Sequence, residues 1–195
     1  MKKAAVFFAD GFEDIEALSP VDYMRRAGIE VITVGVKGTP FNKTLIVTSS
    51  HNVPMIMDMS MQDFFAEYAN NLPDCIVCPG GGKGAVNLSE CKELLDYIEK
   101  CNSEGKLVTA ICASPAVVLG KTNVLKDKKW TCYPGMEGEA NPAFAGGYSD
   151  KVFVHDGNLI TSRGAGAAEE FAMEIVRTLA GEEMYTKVKT ATVQR

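Results

Sequence analysis

Residues 106–120 read KLVTAICASPAVVLG. Lys106 to Ile111 form a short apolar run, the length and composition of a buried strand. From Ala113 onward the residues are small or apolar helix formers. Pro115 suits the first turn of a helix, where its missing N–H costs nothing. Cys112 falls on the junction. A strand that passes straight into a helix is a unit of a parallel α/β sheet, and such sheets bind ligands outside the carboxyl ends of their strands. The small neighbours Ala110, Ala113 and Ser114 permit a tight turn and close backbone approach. A helix starting at Ala113 would aim free N–H groups and a positive dipole end at the sulfur, which predicts a depressed thiol pKa. The layout parallels the nucleophile elbow of hydrolases with Cys in place of Ser. A small apolar core cysteine is the plainer alternative.

The same alternation extends in both directions. Residues 3–9, KAAVFFA, read as a buried strand ending at Asp10. A helix follows, with Ile15, Leu18, Val21 and Met24 at helical spacing, Pro20 kinking or dividing it, and Gly28 stopping it. Residues 29–36 form a second strand. Residues 44–58 form one or two shorter strands, with Pro54 marking an edge. A short helix over MQDFFAEYANN precedes DCIVCPGGG at 74–82, a strand running into a glycine turn. The next helix spans 89–105, with Ser89 as candidate N-cap and Gly105 as its stop. Residues 151–164 read as a hairpin around HDGN, which places His155 in an exposed turn. A closing helix and a second short one end the chain. The Gly- and Pro-rich stretch 133–148 is the best candidate for a mobile segment. Strands alternating with helices at this spacing imply an α/β fold with a mainly parallel sheet covered on both faces, in a single domain over residues 1–195.

Composition narrows the function classes. The 195 residues are 46% hydrophobic and 23% charged, with net charge −5. That balance and the lack of a basic run argue against binding nucleic acid or anionic membranes through a broad positive field. The opening MKKAAVFFAD is too short in its apolar part for a secretory leader, and no stretch approaches a membrane span. A cytoplasmic location is expected. In that setting the six cysteines, Cys75, Cys78, Cys91, Cys101, Cys112 and Cys132, are free thiols rather than a disulfide framework.

Two further stretches bear on Cys112. In VCPGGG, Gly80 and Gly81 can present backbone N–H groups beside it, an oxyanion hole for a carbonyl oxygen; a loop that merely needs φ > 0 is the alternative. In DGFEDIEALSP, Glu13 and Asp14 complement a helix N-terminus, while Glu16 sits among apolar residues where its carboxyl would titrate high and move protons. A cysteine hydrolase needs a histidine base. Only His51 and His155 exist, and neither follows Cys112 closely, so a Cys–His protease or glutaminase is disfavoured. The CIVC spacing of Cys75 and Cys78 mimics a redox motif, but a strand places the two thiols on opposite faces. No grouping has zinc spacing. The acidic ADGFED after strand one lacks the glycine-rich loop of a phosphate site.

Taken together, DGFEDIEALSPVDYMRRAG, VCPGGGKGAVNLSE, AICASPAVVL, TCYPGMEGE and LITSRGAGAAEEFAMEIVRTLAG resemble the ThiJ/PfpI superfamily, in its Parkinsonism-associated deglycase (DJ-one) branch. The likeness spans nearly the whole chain. It implies a flavodoxin-like three-layer sandwich, a homodimer, and a reactive Cys112 hydrogen-bonded to a protonated Glu16, with Gly81 and Ala113 as oxyanion donors. Arg26 and Arg163 match family arginines, in structural or interface roles. His51 falls where some relatives place an arginine near the partner's active site. Some relatives carry a histidine where Tyr133 stands; Tyr133 can donate a hydrogen bond but is no base at neutral pH. The resemblance implies a cysteine-dependent, cofactor-free glyoxalase or deglycase acting on glyoxal, methylglyoxal or early glycation adducts, with no metal. The alternative is a stress protein or chaperone whose Cys112 oxidises to sulfinic acid.

Overall fold

The computed structural model of the chain describes residues 1–41 and 44–194. In chain order the elements are β1 (Lys3–Ala9), α1 (Asp14–Arg26), β2 (Glu30–Lys37), β3 (Thr39–Phe41), β4 (Thr44–Thr48), β5 (Pro54–Ile56), β6 (Met59–Ser60), α2 (Met61–Tyr68) and β7 (Cys75–Cys78). There follow α3 (Gly82–Ser89), α4 (Lys92–Ser103), β8 (Leu107–Ile111), α5 (Ser114–Val117), β9 (Phe153–Asp156), β10 (Leu159–Ser162) and α6 (Ala168–Ala191). Seven strands make the main sheet in the order β6-β2-β1-β7-β8-β10-β9. Every pairing in it is parallel except β10 with β9.

Period-two alternation explains why these strands are apolar throughout. Ala5, Phe7 and Ala9 of β1 join the core cluster beneath α2, α3, α4 and α5, whereas Ala4, Val6 and Phe8 join the one beneath α1 and α6. β7 splits the same way: Ile76 and Cys78 face the first cluster, Cys75 and Val77 the second. A parallel sheet buried on both faces needs hydrophobic residues at consecutive positions. This is the flavodoxin-like sandwich expected from the sequence. Cys75 and Cys78 are sealed in opposite cores, as the strand reading of CIVC requires.

Chain order reverses between β1 and β7: the strands after β1 build outward to β2 and β6, and the chain then returns to β7, β8 and β10. A crevice at the carboxyl ends of β1 and β7 is the expected ligand site of such a sheet.

The structure corrects some local expectations and bears out others. Ser89 caps nothing: it ends α3, its hydroxyl bonding back to Val86 O at 2.9 Å, and Cys91 precedes α4. α3 escaped the sequence reading because it starts after Gly81, which offers no capping side chain. On α1 the inward face is Glu16, Ala17, Pro20, Val21, Tyr23 and Met24; Ile15 is 53% exposed and Leu18 36%. Pro20 lies inside α1 without dividing it. β5, with Pro54, is an outer strand of a small separate sheet. His155 lies on β9 rather than in the turn, bonded to Glu174 at 2.8 Å, and Gly157 makes the turn at φ 63°. α6 is interrupted at Gly181, giving the long and short closing helices expected. The 133–148 stretch folds into two 3₁₀ turns, pinned where Trp130 Nε1 donates to Phe144 O at 2.9 Å.

Candidate active site

Four strand ends converge at the crevice. β8 ends at Ile111, and Cys112 follows at φ 63°. A residue with a Cβ in the left-handed region costs about 1–2 kcal/mol, so the surroundings must enforce it. They do so from both sides: Cys112 N–H donates to Ser162 O at 2.9 Å, and Tyr133 N–H donates to Cys112 O at 2.7 Å. Cys112 is partly buried, whereas Cys75 and Cys78 inside β7 are sealed.

The turn after β7 lies against it. A Cβ on Gly80 would stand 2.3 Å from Glu16 Oε2 and 2.5 Å from Cys112 Cβ. Gly81 adopts φ 87°, and a Cβ there would meet Gly11 O at 2.2 Å. Glycine is required at both, once for space and once also for conformation. The loop after β1 locks onto this turn through Glu13 N–H to Gly80 O at 3.1 Å and Gly84 N–H to Gly11 O at 3.1 Å. Glu13 also caps α1, its Oε2 accepting from Glu16 N–H at 2.8 Å.

Glu16 is 1% exposed, the only carboxyl among the fully buried residues described. Its Oε2 makes no hydrogen bond of normal geometry, yet the Cys112 thiol and the N–H groups of Gly80 and Ala165 surround the carboxyl. Burial pushes this acid up to about 7; the thiol and the two N–H groups pull the other way, and the Glu13 charge adds to the rise. For Cys112, burial first and then the adjacent Glu16 carboxylate push the thiol up to about 12, while the Gly81 and Ala113 N–H groups favour the thiolate. The depressed thiol pKa expected from a helix dipole is therefore absent while Glu16 is ionised. α5 has only four residues, too few for a strong dipole, and desolvation of the sulfur outweighs it.

Four backbone N–H groups thus favour the charged forms of the pair, those of Gly80 and Ala165 the carboxylate and those of Gly81 and Ala113 the thiolate. None of the four donates to another acceptor among the described residues. The Ala165 contribution, from the 3₁₀ turn three residues past β10, had no sequence signal beyond its place after a strand. Arrays of this kind stabilise negative charge on a bound oxygen or sulfur.

The other candidates lie further out. Tyr133 is 51% exposed; its ring edge and Glu16 Oε1 flank Gly164, at 3.6 and 3.9 Å from the position of a Cβ there. Arg163, one residue past β10, pairs with Asp150 at 3.2 Å. Arg26 is bound to Asp22 at 2.7 Å on the far end of α1. His51 is exposed and bonded to Asp14 Oδ2 at 2.6 Å. Glu13, Asp14 and His51 converge within 4.8 Å, a grouping their sequence separation conceals. With Glu13 engaged in the cap and Asp14 in the histidine pair, it is a surface ion-pair cluster.

A flavodoxin-like sheet with a left-handed cysteine at a strand end, a buried acid beside it and free N–H groups around both defines a cysteine-centred site on an α/β scaffold. The chain belongs to the DJ-1/PfpI family, whose model matches residues 2–178. It is 39% identical over 190 residues to Protein dj-1beta of Drosophila melanogaster, covering 96% of this chain and 94% of that one. It is 31% identical over 197 residues to the glutathione-independent glyoxalase DJ-1 of Schizosaccharomyces pombe, covering 96% of each. Among solved structures, oxidized Toxoplasma gondii DJ-1 superposes with a TM-score of 0.87 at 29% identity, covering 99% of this chain and 98% of that one.

Proposed function

We propose that the protein is a cofactor-free, glutathione-independent glyoxalase or deglycase acting on glyoxal, methylglyoxal or early glycation adducts. The observation that carries this reading is the packing of Cys112 and the fully buried Glu16 carboxyl against the same glycine turn, where burial pushes the acid up to about 7. A histidine-free site of this kind can form a thiolate by leaving its proton on Glu16. The glyoxalase name of the fission-yeast relative supports the reaction class.

In this reading the Cys112 thiolate adds to the aldehyde carbon of methylglyoxal. The new oxyanion meets the Gly81 and Ala113 N–H groups and takes up a proton, giving a hemithioacetal. Glu16, as the carboxylate, removes the hydrogen on that carbon and returns a proton to the neighbouring carbon through an enediol. The former aldehyde carbon is oxidised to a thioester while the former ketone carbon is reduced to an alcohol. Water then cleaves the thioester, releasing lactate and the thiol. The sum is methylglyoxal plus water to lactate, with no external electron acceptor. Lactate formation by wild type and its loss in Cys112→Ser is the expected result; equal rates would refute the reading.

A second reading is favoured by the same N–H groups, which would also hold an oxidised sulfur. Two equivalents of peroxide convert the Cys112 thiolate to sulfinate with release of two waters, and protonated Glu16 donates to it. Intact mass after mild peroxide should then rise by two oxygens at Cys112 before any other thiol. We place either activity in a cytoplasmic homodimer.

A further inference from the structure

The two turns that face Cys112 follow different strands, and their relative position is not set by the sheet. β7 and β8 pair only as far as Cys78 with Ala110. Beyond that pair Cys112 turns its N–H to β10. Outside the strand ladder, one hydrogen bond joins the 79–81 turn to the 112–114 turn among the described residues. The Ser114 hydroxyl donates to Pro79 O at 2.5 Å, across 35 positions of sequence. Both residues are buried.

We propose that Ser114 is a positioning residue whose grip on the Pro79 carbonyl sets the plane of the Pro79–Gly80 peptide and so aims the Gly80 N–H at Glu16. This deepens the proposed function and rests on its reading of Glu16 as the proton partner of Cys112. A trans peptide is planar, and its carbonyl and N–H point in opposite directions. A donor fixed on the Pro79 oxygen therefore fixes the direction of the Gly80 hydrogen. The contact is close: a Cβ on Gly80 would lie 2.3 Å from Glu16 Oε2. Glycine has no side chain to hinder rotation of this peptide, and Pro79 has no N–H with which to anchor it. The groups facing the Glu16 carboxyl are the Cys112 thiol, the Glu13 carboxylate, and the Gly80 and Ala165 N–H groups. Of these, only the Gly80 N–H is steered by Ser114. Without the hydroxyl, the Pro79 carbonyl loses its donor, the peptide is free to rotate, and the carboxylate form of Glu16 loses a stabilising hydrogen.

Thr109 supplies a matched control. Its hydroxyl donates to Ile76 O at 2.9 Å, joining the same two strands deeper in the sheet, away from the site. The side-chain carboxyl of Glu16 is followed by ¹³C NMR through a pH titration, with Glu16→Gln assigning the signal. In wild type the midpoint lies near 7, and the Gly80 amide proton shifts with the same midpoint. Ser114→Ala raises the Glu16 midpoint by about half a pH unit or more; Thr109→Val leaves it in place. An unchanged midpoint in Ser114→Ala, or an equal rise in Thr109→Val, overturns the positioning role and leaves the proton-partner reading intact. Should Ser114→Ala not fold, a wild-type Gly80 amide insensitive to Glu16 overturns it instead. A wild-type Glu16 midpoint in the ordinary carboxylate range refutes the proton-partner reading itself, and the positioning role with it.

Discussion

DCIVCPGGG at 74–82 and KLVTAICASP at 106–115 are built alike: an apolar strand of the central sheet carrying cysteine, then a turn of small residues. Their thiols have opposite fates. Cys75 and Cys78 lie within the ladder, paired with Leu107 and Ala110, and are fully sealed. Burial pushes both thiols strongly upward, and neither is hydrogen-bonded to a carboxyl. Cys112 stands one residue past its strand, in the left-handed region, against Glu16. A cysteine inside the ladder is a small hydrophobe; one residue beyond the ladder it meets the free N–H groups of the turn and a proton partner.

The sharpest way to break this contrast is to make the same change on both strands. Cys112→Ser should lower methylglyoxal turnover by about a thousandfold or more. Cys78→Ser should leave turnover intact and lower stability by about 1–3 kcal/mol, because it buries a hydroxyl in an apolar core. Comparable losses of turnover in the two variants would erase the distinction.

Glu16→Gln tests the partner. Turnover should fall by about a hundredfold or more, while stability moves the other way with pH. Folded Glu16 titrates near 7 against 4.5 for the free group, so the native state holds the extra proton between those values. The stability tied to its neutral form is complete below 4.5, falls as pH rises through the window, and is gone above 7. The amide keeps a neutral side chain at every pH, so the variant should be the more stable protein at pH 8, by up to about 3 kcal/mol. The gap should close at pH 4.5. Thermal melts at the two pH values measure it.

Gly80→Ala should cost about a hundredfold in turnover, since its methyl group would displace the Glu16 carboxyl and Cys112 together. Tyr133→Phe should change turnover about twofold at most, because the exposed ring belongs to the rim of the site.

Legibility followed the physics of each feature. The strands, their order of burial and the place of Cys112 are written in continuous apolar runs, which only a sheet covered on both faces accommodates. Glu16 was visible as an acid after a strand, but its depth was not. The stripe Ile15–Leu18–Val21–Met24 implies that Ile15 points inward; the first turn of α1 instead turns Ile15 out and Glu16 in. That reversal of polarity runs against the ordinary preference of a helix and occurs at the site. Residues that defy local patterning at functional positions are expected in natural proteins. The left-handed backbone of Cys112 had no signal, because it is imposed by bonds to Ser162 and Tyr133, distant in sequence. Ser89 misled because a serine is a common N-cap, whereas it ends α3 and the following α4 starts after Cys91, which makes no capping bond. The pairing of His51 with Asp14 and the contribution of Ala165 depend on loops brought together only by the fold.

The central claim is that Cys112 and Glu16 share one proton. The pH dependence of Cys112 alkylation by iodoacetamide, compared in wild type and Glu16→Gln, tests it most directly. Wild type should show a step in reactivity near 7, where the pair loses its first proton and Cys112 and Glu16 then hold a single proton between them. In Glu16→Gln the midpoint should rise above the ~8.5 of a free thiol, as for an unassisted buried cysteine. The same midpoint in both proteins would contradict it.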